Sequence, residues 1–250
     1  MISFQSLTAG YGTKHILQSL DAKAKPGELI ALIGPNGSGK STLLKTLCGI
    51  ISPSSGRITL NDKNIRDLSL KMRARNTAYL AQSREALPSM SVEEVVRLGR
   101  APYRGSLGKI SPEGEAAISS ALSRTQSDSF KTRRFDSLSG GEQARVLLAR
   151  ALTVEAPVLL ADEPIAALDP FYQLSMMKIL KAEAASGKTV ITALHDLPLA
   201  AQFADRIWIM NDGKIIADGT PKEALNDENM KTVFGIKLPK GGFRPLELAP

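Results

Sequence analysis

Short runs of apolar and β-branched residues recur along the chain at ISFQSLT (2–8), ELIALIG (28–34), GRITL (56–60), VLLAD (158–162), TVITAL (189–194) and RIWIM (206–210). Their length and composition predict strands. Between several of them lie segments with apolar residues at helical spacing, STLLKTLCGI (41–50) and FYQLSMMKILKAEAASG (171–187), the second stopped by Gly187. Strands alternating with helices predict an α/β fold, a mostly parallel sheet with helices on both faces. From about Met90 to Arg150 the pattern changes to helices alone: SVEEVVRLGR (91–100), SPEGEAAISSALSRT (111–125), opened by Ser111, Pro112 and Glu113, and LSGGEQARVLLARAL (138–152). This predicts a helical insert within the α/β core. The tail from Gly235, with Pro239, Gly241, Gly242, Pro245 and Pro250, is expected to be a loosely ordered extension.

Composition narrows this picture. The 250 residues, 43% apolar and 23% charged, suit a soluble chain with a substantial core. One cysteine excludes an internal disulfide and a cysteine metal cluster, and the apolar helical setting of Cys48 reads as a buried structural thiol. The most apolar region, VLLARALTVEAPVLLADEP (146–164), is broken by Arg150, Glu155, Pro157 and Asp162, so no segment is expected to cross a membrane. The start MISFQSLTAG lacks the basic, apolar pattern of a signal peptide, and a cytoplasmic protein is expected. The net charge of +7 is scattered, apart from modest clusters at 71–75 and 124–134, and aromatics make up only 5%. A solvated surface accounts for that charge, and nucleic acid is not an expected partner.

Candidate chemistry sits at the ends of the predicted strands. GPNGSGKS (34–41) follows a buried-strand pattern and opens a helix, the context in which G-x-x-x-x-G-K-[ST] cradles phosphate. Its glycines let backbone N–H groups wrap a β-phosphate, Lys40 reaches the β- and γ-phosphates, and the Ser41 hydroxyl suits Mg²⁺. Asp162 and Glu163 end VLLADE; side chains alternate along a strand, so the two acids have different tasks. Asp162 is expected to hold the metal, directly or through water, and Glu163 to orient or deprotonate an attacking water. Two acids after a strand also fit a helix cap or solvated turn, but the phosphate loop favours the catalytic reading. His195, past TVITAL, is placed to reach a γ-phosphate from the same sheet edge. His15 has no such context. LSGG at 138–141 opens a second helix whose first-turn N–H groups suit phosphate, which raises the question of why one chain carries two such sites.

Taken together, these motifs resemble the ATP-binding subunit of an ABC transporter, over essentially the whole chain. GPNGSGKS matches the Walker A loop, VLLADEP the Walker B strand, LSGGE the signature motif, Gln82 in LAQS the Q-loop, Leu168 and Asp169 in AALDP the D-loop, and His195 the switch histidine. The resemblance implies a P-loop NTPase (RecA-like) core with a small N-terminal antiparallel β part and an inserted helical subdomain. Residues 1–85 and 151–235 would form the core, 86–150 the helical insert and 236–250 a C-terminal extension. It implies an ATPase using ATP and Mg²⁺. Gly34, Pro35, Asn36, Gly37, Ser38, Gly39, Lys40, Ser41 and Thr42 would bind the nucleotide, and Tyr11 in AGYGTKHIL would stack on adenine. Ser41, Gln82 and Asp162 would surround the metal, with Glu163, His195 and Lys40 catalytic. Two copies would pair head to tail, so that Ser139, Gly140 and Gly141 of one, with Asp169, close over ATP held by the other. The sequence departs from the family at Ile165, where threonine is usual, and at Gln143, Ala144 and Arg145, a change expected to weaken contacts near the ribose across the interface.

Length and the segments VVRLGRAPYRG (95–105), SPEGE (111–115) and DENMKTVFGIKL (227–238) resemble subunits that power uptake of ferric siderophores, haem or cobalamin, with ferric siderophore ranked first. Membrane permease subunits, a second copy of the chain and an external binding protein acting through the permease are the implied partners, at the cytoplasmic face of the inner membrane. A permease groove over residues 83–104, lined by Leu87, Met90 and Val95, is weighed against an amphipathic helix packed on the insert's own core. Two further readings stay open: a soluble ABC ATPase of iron–sulfur assembly, DNA repair or translation, and a phosphoryl-transferring P-loop kinase or other NTPase.

Overall fold

The computed structural model describes residues 1–82, 90–104, 109–238, 243 and 245–246. In chain order the strands are β1 (Ile2–Tyr11), β2 (Lys14–Ala24), β3 (Leu29–Ile33), β4 (Ser55–Leu60), β5 (Lys63–Asn64), β6 (Thr77–Leu80), β7 (Val158–Asp162), β8 (Thr189–Ala193), β9 (Arg206–Asn211) and β10 (Lys214–Gly219). The principal helices are α1 (Lys40–Leu47), α2 (Leu70–Asn76), α3 (Val92–Arg97), α4 (Pro112–Arg124), α5 (Gly140–Leu152), α6 (Pro170–Ala185) and α7 (Leu197–Phe203).

Two sheets organise the chain. One is antiparallel with order β2-β1-β4-β5; the other has order β10-β9-β3-β8-β7-β6, parallel from β9 to β6 with β10 antiparallel at its edge. β3, β7 and β8 are buried at every position, as the unbroken apolar runs predict for strands covered on both faces. Alternation along β3 then sorts the core. Ile30 and Leu32 join Leu43 and Leu44 of α1 and Phe4 and Leu17 of the antiparallel sheet, where Phe4 meets Trp208 edge-on at 5.8 Å. Leu29, Ala31 and Ile33 face the other way, onto the layer that includes α5, α6 and the insert.

The insert is built from capped helices. Ser91 and Glu94 form a reciprocal capping box at α3, and Ser111 caps α4 with Pro112 in its first turn. The helix expected over 91–100 ends at Arg97 and continues as a 3₁₀ segment, Leu98–Tyr103, with Pro102 inside it. Arg124 of α4 and Lys188 both bond the buried Glu183 of α6, at 2.6 Å each, tying insert to core. Of the residues weighed as groove lining, Val95 is 0% exposed and the half-buried Met90 packs against the core, which favours the alternative of a helix whose apolar face packs on the insert's own core. Leu87, with residues 83–89, lies outside the described residues. In the tail, Phe243 packs on the core and Leu246 exchanges backbone bonds with the Gln202 side chain.

Candidate active site

The phosphate loop leaves the buried carboxyl end of β3. A Cβ on Gly34 would stand 2.1 Å from the Met210 carbonyl oxygen, so only glycine lets the loop pass β9. Gly39 enters α1 at φ 104°, a conformation few other residues hold. Lys40, 5% exposed, donates from Nζ to the carbonyls of Gly34 (2.8 Å) and Pro35 (3.1 Å). Burial lowers its pKa, while Glu163 and Asp162 oppose that shift. The buried Ser38 hydroxyl has no partner among the described residues. A cavity of about 230 Å³ opens over Gly37, Gly39, Lys40, Ser41 and Thr42, with Tyr11 and Ile16 on its wall. Tyr11, at the end of β1 on this wall, is 54% exposed.

The carboxylates arrive on β7, next to β8 and β6. Asp162, 1% exposed, accepts from Ser41 Oγ at 2.9 Å on Oδ1 and from Tyr79 Oη at 3.0 Å on Oδ2. Burial raises the Asp162 pKa against these two bonds, and burial followed by the Asp162 charge pushes the Tyr79 hydroxyl well up. The Ser41 hydroxyl beside the Asp162 carboxylate is an oxygen-only donor set, which fits a small hard cation such as Mg²⁺. Among the described residues no cluster of three histidine, cysteine or acidic side chains could hold a metal by itself, and phosphate or water oxygens would complete a shell begun by Ser41 and Asp162. The orphaned Ser38 hydroxyl, and a lysine resting on carbonyls of its own loop, fit a site shaped for an anion.

Glu163 directly follows β7 at φ 49°, a left-handed turn that ends the strand and costs about 1–3 kcal/mol for a residue with a side chain. Its carboxylate is clasped from both neighbouring strands: His195 Nε2 lies 2.5 Å from Oε1, and Gln82 Nε2 donates to Oε2 at 2.7 Å. Glu163 and His195 therefore share one sheet edge, and Gln82, which the resemblance implied as a metal ligand, bonds the Glu163 carboxylate instead. Tyr79 and Ile16 belong to the site and were not singled out in the sequence; an aromatic three residues before Gln82 was the available signal for the first.

The second helix start stands apart. Ser139 caps α5, its hydroxyl accepting from Glu142 N–H while Glu142 accepts from Ser139 N–H. Ser139 and Gly140 are exposed; Gly141 is buried against Tyr172. None of the three lines the cavity over Lys40. Asp169 caps α6 by accepting from Tyr172 N–H at 3.1 Å. Gln143 donates to the Phe135 and Leu138 carbonyls, and Arg145 stacks over Phe130 and Tyr172, so both side chains are engaged within their own chain.

Comparison with known proteins matches residues 17–166 to the family described as ABC transporter. A hemin import ATP-binding protein, HmuV, from Streptomyces coelicolor is 41% identical over 223 residues, 89% of this chain and 79% of that one. An iron(3+)-hydroxamate import ATP-binding protein, FhuC, from Bacillus subtilis is 36% identical across 94% of this chain and 88% of its own. The solved dimeric structure of a bacterial ABC transporter cassette superposes with a TM-score of 0.78 at 30% identity, covering 88% of this chain and 99% of that one. With its phosphate loop after β3, its acids at the end of β7 and its serine–glycine start at α5, this chain belongs to the ABC transporter family.

Proposed function

We propose that the chain is the ATP-hydrolysing, energy-coupling subunit of an importer for a ferric chelate, ferric siderophore or haem. The observation that carries the reading is the convergence of Lys40, the Ser41–Asp162 pair and Glu163 on one cavity. Gly34, Pro35, Asn36, Gly37, Ser38, Gly39, Lys40, Ser41 and Thr42 hold the triphosphate, and the exposed Tyr11 ring offers its face to adenine. Ser41, Asp162 and Gln82 would hold Mg²⁺, which would offset charge on the phosphate oxygens. Glu163 takes the proton of the attacking water, and His195 contacts the γ-phosphate. Gln82 and His195 both bond Glu163 here, so turnover requires that clasp to loosen.

The exposed Ser139 and Gly140, absent from the lining of the chain's own cavity, support a head-to-tail pair in which each copy completes the other's site with residues 139–141 and Asp169. This answers why one chain carries two phosphate-binding helix starts. Closing on ATP and reopening after hydrolysis would drive permease subunits bound at the cytoplasmic face, with any external binding protein acting through them. Residues 1–85 and 151–235 would serve as the catalytic core, 86–150 as the insert that meets the permease and 236–250 as an extension. No helix among the described residues is long and apolar enough to cross a membrane. One of the two relatives named above is an import protein for hemin and the other for iron(3+)-hydroxamate, both iron complexes. The test is Glu163→Gln with permease subunits reconstituted in liposomes. The variant is expected to bind ATP, lose most hydrolysis and accumulate as a nucleotide-bound dimer; unchanged turnover would remove Glu163 from its role. Stimulation of the parent ATPase by ferric siderophore or haem supports the cargo class, and stimulation by cobalamin alone overturns it.

A further inference from the structure

Gly141 is buried, and what occupies the place of its missing side chain is the ring of Tyr172: a Cβ built there would lie 2.3 to 2.5 Å from three ring carbons. The collision is near the ring's attachment rather than at a movable tip. The ring is also fenced in, with the Phe171 ring edge-on at 5.3 Å and the Arg145 guanidinium 5.1 Å above it. Tyr172 N–H in turn donates to Asp169, the residue that begins α6. One residue thus touches both helix starts, the serine–glycine start of α5 and the aspartate start of α6, across thirty-one positions of sequence.

We propose that Tyr172 is a positioning residue that rivets the start of α5 to the start of α6, so that Ser139, Gly140 and Asp169 meet a second copy of the chain as one rigid edge. The inference rests on the head-to-tail reading above and deepens it. It also assigns the requirement for glycine at position 141 to packing within the chain rather than to close approach of a phosphate. Rotation of one helix start then carries the other with it, and a loose rivet leaves the nucleotide pocket intact while misaligning its lid.

The experiment uses the full chain in a Glu163→Gln background, with ATP and Mg²⁺, and reads dimer formation by light scattering alongside fluorescent-nucleotide binding by the monomer. Tyr172→Ala is expected to raise the ATP concentration for half-maximal dimerisation by about tenfold, equivalent to about 1.4 kcal/mol, with monomer nucleotide affinity unchanged. Tyr172→Phe should restore dimerisation, since the ring and not the hydroxyl fills the gap. Gly141→Ala should impair dimerisation on its own yet add nothing to Tyr172→Ala, because the two changes act on one contact. Independent, multiplying effects would overturn the packing assignment, as would a Tyr172→Ala variant that dimerises like its parent. Failure of the Glu163→Gln parent to dimerise with ATP is a different result, which overturns the head-to-tail reading and the inference with it.

Discussion

Replacing Tyr79 by phenylalanine removes one hydroxyl and keeps the ring that packs beside Cys48 and the β3 face of the core. The lost bond is to Asp162, 1% exposed, whose carboxylate is served by two side-chain donors, Ser41 and Tyr79. A hydrogen bond to a buried charged group contributes about 1.5–3 kcal/mol. For a chain of this size, about 2–4 °C of melting temperature accompanies each kcal/mol, so a drop of about 3–12 °C is expected. Calorimetry of the nucleotide-free protein in EDTA checks it. The same change in an Asp162→Asn background should lower the melting temperature far less, since no carboxylate is left to satisfy. A second readout follows from geometry: with one restraint gone, Asp162 holds its Ser41-facing oxygen less firmly. The Mg²⁺ concentration for half-maximal nucleotide binding should rise, while affinity measured in EDTA stays constant. A melting temperature within about 1 °C of the parent would refute the energetic argument, and an unchanged Mg²⁺ dependence would refute the positional one.

Lys40→Ala should weaken nucleotide binding by about tenfold to a hundredfold, the value of one charge-assisted contact, as measured by isothermal titration; undiminished affinity would sink the assignment of the loop. Burial pushes the Cys48 thiol up to about 11, against an ordinary value of 9.0. Because the thiolate is the reactive form, its alkylation by iodoacetamide should rise about tenfold per pH unit between pH 8 and 10; mass spectrometry showing a plateau below pH 9 would contradict this. Glu183→Gln keeps shape but removes the charge that Arg124 and Lys188 share, and should cost about 1–3 kcal/mol in urea unfolding. An unmoved midpoint would show that the insert is tethered by packing alone.

The parts of the site that were legible in the sequence are those whose chemistry demands fixed local spacing. The phosphate loop needs glycines, lysine and serine within eight consecutive positions (34–41), and Asp162 and Glu163 need only a buried strand before them. Where a contact is made by strand pairing, local pattern is silent. Tyr79 meets Asp162 because β6 pairs with β7, and Ile16 reaches the cavity wall through the β1–β2 hairpin. That hairpin was itself half hidden: strict alternation breaks where the register shifts, with Ser6 of β1 at φ 46° and Ser19 of β2 at φ 53°. β10 escaped notice because, as an edge strand, it alternates exposed and half-buried positions without an apolar run. Tyr172 carries no motif at all; its relevance lies in the space that Gly141 leaves.

The clasp around Glu163 depends on strand order rather than on chain order. Gln82, Glu163 and His195 follow β6, β7 and β8, which are neighbours in the sheet. Strands in a sheet sit about 4.8 Å apart whatever links them. The whole helical insert joins β6 to β7, yet its length does not enter the geometry of the clasp. Such an arrangement lets the insert lengthen, shorten or be redesigned while the hydrolytic centre keeps its dimensions. The dimensions of the catalytic frame are in this way set by the sheet alone, independent of the length of the chain that loops out between its strands.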